Sequence, residues 1–387
     1  MKRVWALLAF AALTGAGPAL SAPARIAKPA PVSPQIPVAL LVDLSTGQTL
    51  YSREEQRRFV PASVTKVMTA YSTFKLVEEG KLPLNRPFLY TPEMQKAWYG
   101  EGSNMFLLAG ERPTIAQLLL GITTVSGNDA SEAMAIAALG TREKWLAFMN
   151  ANAAALGMEN THFGSPNGYP DGGATYTTAR DLALLAQALT QDFPGLYHRF
   201  FGHRQLTWRN IQQQNHDPLT GSVEGGDGIK TGYTAEAGYT FLGSAIRGGR
   251  RLVVVLAAAP SGNVRNDSAR KLIEWGYSEF TPTVLVPGGT KLGVALVQDG
   301  DAGSVGLRAA KDVRVAIPRD GAPGRVEMSI HYRGPVQAPF EAGAAIARLE
   351  LTIDGRRALD VPLVADRAVA KAGLFTRIGN GLADWFG

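Results

Sequence analysis

The sequence predicts an α+β fold, in which an antiparallel sheet packed by helices is followed by a small all-β domain and a C-terminal amphipathic helix. Apolar runs typical of strands occur near both ends of residues 38–280, with helical patterns between them. This order favours an antiparallel sheet covered by helices. Over residues 281–365 the apolar runs become short and glycine and proline are frequent, which indicates a β-rich domain. A helical period returns over residues 366–387.

Length and charge narrow the class of protein. The chain has 387 residues, too many for one typical core, so two domains are expected. Its 45% hydrophobic and 19% charged residues are ordinary for a globular protein. The net charge of +6 is mild and no basic run interleaved with aromatics stands out, so nucleic acid is not an expected partner. A basic surface facing anionic lipid or an acidic polymer remains open.

Residues 1–22 have the pattern of a cleaved export signal. Lys2 and Arg3 precede a short apolar run, and small residues suited to cleavage lie around Ser21 and Ala22. The alternative is a membrane anchor, but the run is short of a full span. The proline-rich residues 23–37 are interpreted as a flexible linker. Because the chain has no cysteine, its core must form without disulfides.

The first domain opens with a predicted hairpin and helix. Residues 38–42 and 48–51 flank a Ser-Thr-Gly turn, which indicates a β-hairpin. A helix is predicted from Ser63 to near Gly80. Its apolar side chains share one stripe: Val64, Val67, Met68, Tyr71 and Phe74. Ser63 is a residue type favoured at N-caps, so we expect it in the first turn, where N–H groups and the helix dipole favour negative charge.

The middle of the chain is predicted to be helical. Two apolar helices begin after Thr114 and at Asp129, separated by Ser126-Gly127-Asn128, and threonine caps open two more at Thr141 and Thr178. Between the last two helices, the glycine- and proline-rich residues 164–174 are expected to form a loop that could wall a pocket. The predicted elements after that loop are strands over residues 228–234, 238–246 and 252–258 and a helix over residues 267–275.

Ser63 and Lys66 are a candidate nucleophile and base. Residues three apart on a helix lie on one face, and a neighbouring amine can take the proton of a serine hydroxyl. Burial or a second cation would have to lower the lysine pKa for this to happen. The spacing also occurs at Ser72/Lys75 and Ser268/Lys271, and roughly one or two chance matches are expected in a chain of this length. The pair alone is therefore a weak motif.

Three motifs in a fixed order are more specific. Ser63-Val64-Thr65-Lys66, Ser126-Gly127-Asn128 and Lys230-Thr231-Gly232 together resemble the active-site set of penicillin-binding proteins and serine β-lactamases. The chain is most similar to the low-molecular-mass D-alanyl-D-alanine carboxypeptidases of the penicillin-binding protein 5 type (peptidase family S11). Residues 177–181 and 227–234 match that group's signatures, and its middle motif is likewise Ser-Gly-Asn. The resemblance extends over essentially the whole chain.

The resemblance implies a β-lactamase/transpeptidase-like catalytic domain over residues 38–280 and a role for each motif residue. Ser63 would be the acylated nucleophile and Lys66 its general base. Ser126 and Asn128 would relay protons and hold the substrate amide. Lys230 would supply a positive charge that lowers the proton affinity of its neighbours.

The resemblance also implies a substrate-binding group. Its members are Thr231, Gly232, Tyr233 and Arg265, with the N–H groups of Ser63 and Tyr233 as the oxyanion hole. Thr231 would help to bind the terminal carboxylate of the substrate, and Arg265, on the loop before the last helix, would lie near that carboxylate. The alternative for Arg265 is a solvated surface charge. The stretch Asn215-His216-Asp217 departs from members that have an arginine there, so carboxylate recognition would differ in detail.

The implied function is a serine-type D-Ala-D-Ala carboxypeptidase that cleaves peptidoglycan pentapeptides through an acyl-enzyme and binds β-lactam antibiotics covalently. No cofactor or metal is expected, because no His-Glu-x-x-His spacing occurs and none of the five histidines falls in a triad motif. The alternatives are an endopeptidase, a weak β-lactamase, for which a class A Glu-x-x-Leu-Asn motif is missing, and a non-catalytic wall-binding scaffold.

The β-rich residues 281–365 contain nothing that resembles a catalytic cluster, so a support or spacer role is expected.

The pattern of residues 366–387 predicts attachment to a membrane surface. Its apolar face would contain Leu374, Phe375, Ile378, Leu382, Trp385 and Phe386. Such a helix suits a lipid interface, and the alternative is a helix docked on the β-rich domain. The expected location is the periplasm, with peripheral attachment to the outer face of the inner membrane.

Overall fold

The structure, a computed structural model, describes residues 28–319, 325–353 and 355–373. The chain forms two compact units. The larger unit contains Pro29–Ser45 and Thr49–Tyr277, and the smaller is formed mainly by the chain from Ser278 onward. Across these described ranges, no helix combines the length and the apolar character needed to cross a membrane.

The larger unit is a sheet covered by helices. Its strands are β1 (Val38–Asp43), β2 (Gln48–Arg53), β3 (Gln205–Trp208), β4 (Ile211–Gln214), β5 (Gly226–Thr234), β6 (Gly238–Arg247) and β7 (Arg250–Ala259). The main sheet has the order β2-β1-β7-β6-β5, and β3 pairs with β4 separately. β7 is antiparallel to β1 and β6 and buries Val253 and Val255 completely. The apolar run of β7 is continuous because its side chains are buried on both faces of the sheet.

The helices supply most of the core. They are α1 (Lys66–Glu78), α2 (Pro92–Trp98), α3 (Ile115–Thr124), α4 (Asn128–Leu139), α5 (Arg142–Ala155), α6 (Ala179–Asp192), α7 (Pro194–Phe200) and α8 (Gly262–Glu279). The predicted threonine caps are confirmed, since Thr141 accepts from Lys144 N and Thr178 accepts from Asp181 N. The hairpin of β1 and β2, and the break between α3 and α4, are confirmed as well.

The last helix of the larger unit begins earlier than predicted. α8 begins at Gly262 and not at residue 267, because the hydroxyl of Ser261 accepts from Val264 N in the first turn. Arg265 therefore lies on the helix, and its predicted position on a preceding loop is wrong. The short helices α2 and α7 and the β3–β4 hairpin were not predicted, because short elements carry little periodic signal.

The smaller unit confirms the prediction of an all-β domain. Its strands are β8 (Phe280–Val286), β9 (Lys291–Gln298), β10 (Ser304–Ala309), β11 (Val313–Pro318), β12 (Val326–His331), β13 (Val336–Gln337), β14 (Ala345–Ile353) and β15 (Arg356–Ala365). One sheet has the order β12-β14-β15-β10-β9-β13, and β8 pairs with β11. Its core includes Val305, Leu307, Leu349, Leu351 and Leu363.

The predicted C-terminal helix is wrong over residues 367–373. Val369 forms a bridge with Phe340, and Lys371 forms one with Gly300. The reason is burial: Val369 is 1% exposed and belongs to the core of the smaller unit, so this segment pairs with neighbouring backbone in an extended form. The rest of the predicted helix, residues 374–387, lies outside the described residues, as do the predicted export signal and the start of the linker.

Candidate active site

The three motifs line one cleft of about 780 Å³ in the larger unit. The predicted site residues on its surface are Ser63, Ser126, Asn128, Thr231, Gly232, Tyr233 and Arg265. Lys66 and Lys230 are buried directly behind these residues, at 1% and 5% exposure. The structure therefore brings together residues that are more than 200 positions apart in the chain.

Ser63 lies in a tight turn directly before α1. The turn is a 3₁₀ helix over Ala62–Thr65, in which Val64 N donates to the carbonyl of Pro61. Ser63 therefore lies in the first turn, as predicted, although no side chain caps that turn. Its hydroxyl is instead 2.9 Å from Lys66 Nζ, because the turn presents positions three apart on one side.

Lys66 is held by two carbonyl acceptors besides Ser63. Its Nζ donates to Asn128 Oδ1 at 2.8 Å and to the backbone carbonyl of Asn167 at 2.7 Å. A neutral amine has two N–H donors and one lone pair. Since carbonyl oxygens can only accept, they take the two N–H groups and leave the lone pair for the hydroxyl of Ser63.

The electrostatic environment favours that neutral amine. Burial lowers the pKa of Lys66 well below its ordinary value, and the positive charge of Lys230 lowers it further. The carboxyl groups of Asp129 and Glu132 act in the opposite direction. The net direction is downward, which is what a base near neutral pH requires.

Lys230 itself has a perturbed pKa. Burial, aided by Arg265 and opposed by Asp217, lowers its pKa to about 7. Its Nζ donates to the carbonyl of Thr231 at 2.9 Å. The structure thus places a partly charged amine behind the wall of the cleft that β5 provides.

Ser126 has an unsatisfied hydroxyl. Its backbone is in the left-handed region (φ 63°), and its Oγ is buried without a hydrogen-bond partner among the residues that the structure describes. It therefore bonds neither Lys66 nor Lys230 in this arrangement. A buried hydroxyl without a partner is costly, and since Ser126 lines the cleft, a bound molecule could supply the partner.

Gly232 lets β5 approach the Ser63 turn. A Cβ at this position would lie 2.6 Å from the carbonyl oxygen of Pro61 and 3.2 Å from Ser63 N. Any larger residue would push the strand away from the nucleophile. The third residue of the Lys-Thr-Gly motif is thus required by packing.

The cleft wall formed by α8 and the loop before β5 is basic. Arg265 is 6% exposed, and burial lowers its pKa to about 10, so it is charged at neutral pH. The alternative of a solvated surface charge is wrong for this residue. His216 lines the same cleft, and burial together with Lys230 and Arg265 lowers its pKa. His216 is therefore a neutral donor or acceptor at pH 7.

Sequence reasoning missed the residues that support Lys66 from behind. Asn167 contributes a backbone carbonyl, which no sequence pattern reveals. Its side chain donates to Glu132 Oε1 at 3.3 Å, and Arg142 lies 3.7 Å from the same oxygen. A signal existed for Glu132, since it is a charged residue four positions after Asn128 and on the same side of the helix.

The other two Ser-x-x-Lys pairs have structural roles. The hydroxyl of Ser72 accepts from Asn152 Nδ2, and Lys75 donates to Asn152 Oδ1. The hydroxyl of Ser268 accepts from Ser33 N, and Lys271 pairs with Asp267. The hydrogen bonds of these two lysines thus go to residues other than the serine three positions before.

Comparison with known proteins identifies the family of this chain. A family model described as D-alanyl-D-alanine carboxypeptidase matches residues 27–261, and one described as penicillin-binding protein 5, C-terminal domain, matches residues 280–371. Among curated relatives, D-alanyl-D-alanine carboxypeptidase DacD of Salmonella typhimurium is 32% identical over 370 residues, covering 94% of each chain. D-alanyl-D-alanine carboxypeptidase DacA of Escherichia coli is 31% identical and covers 90% of this chain and 88% of its own.

Solved structures agree in fold. Penicillin-binding protein 5 of Haemophilus influenzae superposes with a TM-score of 0.75 at 28% identity, covering 88% of this chain and 99% of its own. Penicillin-binding protein D2 of Listeria monocytogenes, in an ampicillin-bound form, has a TM-score of 0.57 at 27% identity and covers 63% of this chain and 97% of its own. With its three motifs in one cleft and both family models matched, this chain belongs to the D-alanyl-D-alanine carboxypeptidase family.

Proposed function

We propose that this protein is a serine-type D-Ala-D-Ala carboxypeptidase that removes the terminal D-alanine from peptidoglycan pentapeptides through an acyl-enzyme on Ser63. The observation that carries the proposal is the 2.9 Å contact between Lys66 Nζ and Ser63 Oγ, with two carbonyl oxygens within hydrogen-bond distance of the same amine. A nucleophile and a buried base within hydrogen-bond reach are the minimum that acyl transfer needs.

In acylation, Lys66 takes the hydroxyl proton as Ser63 Oγ attacks the carbonyl carbon of the penultimate D-alanine. The carbonyl oxygen becomes an oxyanion that the N–H groups of Ser63 and Tyr233 stabilise. The peptide C–N bond then breaks, and the departing D-alanine nitrogen needs a proton. Ser126 is suited to pass that proton from Lys66, because its hydroxyl is buried at the cleft without another partner among the described residues. Water attacks the ester in the second half of the reaction, with Lys66 again as base.

The terminal carboxylate of the substrate fits the basic wall. Thr231 supplies a hydroxyl there, and Arg265 a charge in a nearly buried position. Lys230, a buried residue of β5, adds positive potential behind this wall. A charged partner in a desolvated site discriminates strongly against peptides without a free terminus.

A β-lactam would acylate the same hydroxyl, because its strained amide offers an equivalent carbonyl. The relative from Listeria monocytogenes has been solved in an ampicillin-bound form, which supports this part of the proposal. Cleavage of cross-links as an endopeptidase and slow hydrolysis of the penicillin ester are the alternative outcomes at one site.

The test is incubation with a pentapeptide ending in D-Ala-D-Ala and assay of free D-alanine. Release by the wild-type protein and none by Ser63→Ala is expected. If Ser63→Ala releases D-alanine at the wild-type rate, a non-catalytic scaffold role becomes the better interpretation. The lifetime of a fluorescent penicillin adduct separates the alternatives, since loss of the label within seconds would indicate a β-lactamase.

We further propose that residues 1–22 direct export to the periplasm and are removed, and that the chain end attaches the protein to the outer face of the inner membrane. Because residues 367–373 belong to the smaller unit, the attaching segment is confined to residues 374–387. The chain truncated after Gly373 is expected to lose binding to vesicles that contain phosphatidylglycerol. Equal binding of the full and truncated proteins would refute the attachment.

A further inference from the structure

At the rim of the cleft, the loop that follows α2 contacts the loop of residues 164–174 through side chains. The hydroxyl of Tyr169, on the loop of residues 164–174, donates to Glu101 Oε2 at 2.9 Å. Trp98, at the end of α2, packs edge-on against the ring of Tyr169 with 5.6 Å between ring centroids. The mechanism above uses none of these three side chains.

Both partners are fixed to the proposed catalytic groups through their backbone. The carbonyl of Glu101 accepts from Asn128 Nδ2 at 2.9 Å, while Asn128 Oδ1 accepts from Lys66. On the other loop, Tyr169 N donates to Asn167 Oδ1 at 2.9 Å, and the carbonyl of Asn167 accepts from Lys66. The rim contact is therefore held in a defined position relative to the nucleophile, within a few hydrogen bonds of Ser63.

The chemistry of this rim differs from that of the basic wall. Glu101 is exposed and Tyr169 is 40% exposed. Within the described chain, Glu101 forms no ion pair with a lysine or arginine. A carboxylate beside two aromatic rings is a favourable environment for an ammonium group, which gains from the charge and from the ring faces.

We propose that Glu101, Tyr169 and Trp98 form a subsite for an ammonium group on the substrate residue that precedes D-Ala-D-Ala. This inference rests on the proposed carboxypeptidase function and names the class of acyl chain that the site prefers. The terminal carboxylate of such a peptide would face the basic wall and its amine the acidic rim, so one peptide satisfies both charges of the cleft.

The hydrogen bond from Tyr169 orients the Glu101 carboxylate. The same bond raises the pKa of Tyr169, so the phenol keeps its proton and continues to donate at working pH. One carboxylate oxygen is used in this way and the other is left for the ligand. Because the rim is exposed, the gain for an ion pair is modest: we expect about a three- to tenfold preference.

The experiment compares kcat/KM for D-alanine release from two peptides, Nα-acetyl-L-Lys-D-Ala-D-Ala and its Nε-acetylated form. The wild-type protein is expected to prefer the free amine by about three- to tenfold at low salt, and less at high salt because ions screen the pair. In Glu101→Gln this ratio should fall to about one. Tyr169→Phe should give an intermediate ratio, because it removes only the orienting hydroxyl.

The matched control is Glu236→Gln. Glu236 is an exposed carboxylate in the turn after β5, close in sequence to Thr234, which lines the cleft. It should keep the wild-type ratio, which separates a local subsite from a general effect of net charge. Thermal unfolding of each variant checks that the fold is intact.

The outcomes separate the two proposals. Equal kcat/KM for the two peptides in the wild-type protein, or an unchanged ratio in Glu101→Gln, overturns the ammonium subsite and leaves the carboxypeptidase function standing. A preference for the acetylated peptide overturns it in favour of an apolar rim. Release of D-alanine from neither peptide overturns the carboxypeptidase function and the subsite together.

Discussion

Lys66 Nζ lies 2.9 Å from Ser63 Oγ, and this contact joins the first residue of α1 to the turn before it. The two carbonyl acceptors behind the amine, Asn128 Oδ1 and Asn167 O, come from different parts of the chain. They give the lone pair one direction, toward the hydroxyl. The rate of acylation should therefore depend on the protonation state of Lys66.

Replacing Lys66 should abolish acylation without unfolding the protein. Lys66→Ala removes the base, and general-base catalysis contributes typically about 10²–10⁴-fold, so the rate of labelling by a fluorescent penicillin should fall by that amount or more. The matched control is Lys75→Ala, which removes the amine of the second Ser-x-x-Lys pair and should label normally. Normal labelling of Lys66→Ala would refute the role given to that amine.

The rate should depend on pH with two limbs. The rate of penicillin acylation should rise with pH as Lys66 loses its proton and fall as Lys230 loses its own. The alkaline limb should have its midpoint near pH 7, because burial and Arg265 lower the pKa of Lys230 to about 7. The two amines interact, so the midpoints belong to the pair. A bound carboxylate favours charged Lys230, which should move the alkaline limb of kcat to higher pH than that of kcat/KM.

The variant that checks this assignment is Lys230→Ala. It should have a much lower rate at every pH and no alkaline limb near 7, since the titrating cation is gone. Rates of penicillin acylation from pH 5 to 10 would measure both. An alkaline limb that persists in the variant would assign that limb to another group.

Glu132→Gln should move the acid limb to lower pH. The carboxyl of Glu132 raises the pKa of Lys66, so its removal lets the amine lose its proton earlier. Gln can still accept the hydrogen bond from Asn167, which keeps the loop in place. The pH–rate profile of penicillin acylation is the measurement, and an unshifted acid limb would contradict the electrostatic role. Glu159→Gln, at an exposed position, is the control.

The same variant should gain stability above neutral pH. Burial raises the pKa of Glu132 from 4.5 to about 7, so the folded state keeps a proton that the unfolded chain has lost. The favourable contribution of this group is present below pH 4.5 and is lost as pH rises to 7. At pH 8, Glu132→Gln should therefore be more stable than the wild type by an amount on the order of 3 kcal/mol. Urea unfolding at pH 4 and pH 8 measures the difference, which should be small at pH 4.

Two glycines of the cleft loop should respond differently to alanine. Gly168 has φ 73°, and a Cβ there would overlap the carbonyl of Ala62 and lie 2.8 Å from Thr65 Oγ1. Gly172 has φ 70° but no atom within 4 Å of such a Cβ. Both variants accept left-handed strain of about 1–2 kcal/mol, but only Gly168→Ala also displaces the loop from the Ser63 turn.

Gly168→Ala should therefore lose penicillin labelling and be less stable than Gly172→Ala in urea unfolding. Gly172→Ala should label at nearly the wild-type rate, because its strain lies away from the cleft. Similar labelling rates in the two variants would show that the contact between the loop and the Ser63 turn is not needed for acylation.

Periodic and capped elements could be predicted from the sequence. The hairpin of β1 and β2, the threonine caps of α5 and α6 and the break before α4 depend on local rules. The helix predicted over residues 367–373 failed because tertiary burial of Val369 overrides local period. The predicted start of α8 at residue 267 is wrong because Ser261 caps the first turn of the helix, which the apolar pattern does not reveal.

The amino-acid sequence by itself determined the family, the order of the three motifs and the identity of the candidate nucleophile and base, because these depend on residue types at fixed spacings. Tertiary structure alone decided what surrounds Lys66: the carbonyl of Asn167, the carboxyl of Glu132 and the charge of Lys230. Burial and through-space charge set a pKa, and both come from chain segments far apart in sequence. The acidic rim of Glu101 and Tyr169 likewise exists only where two loops meet.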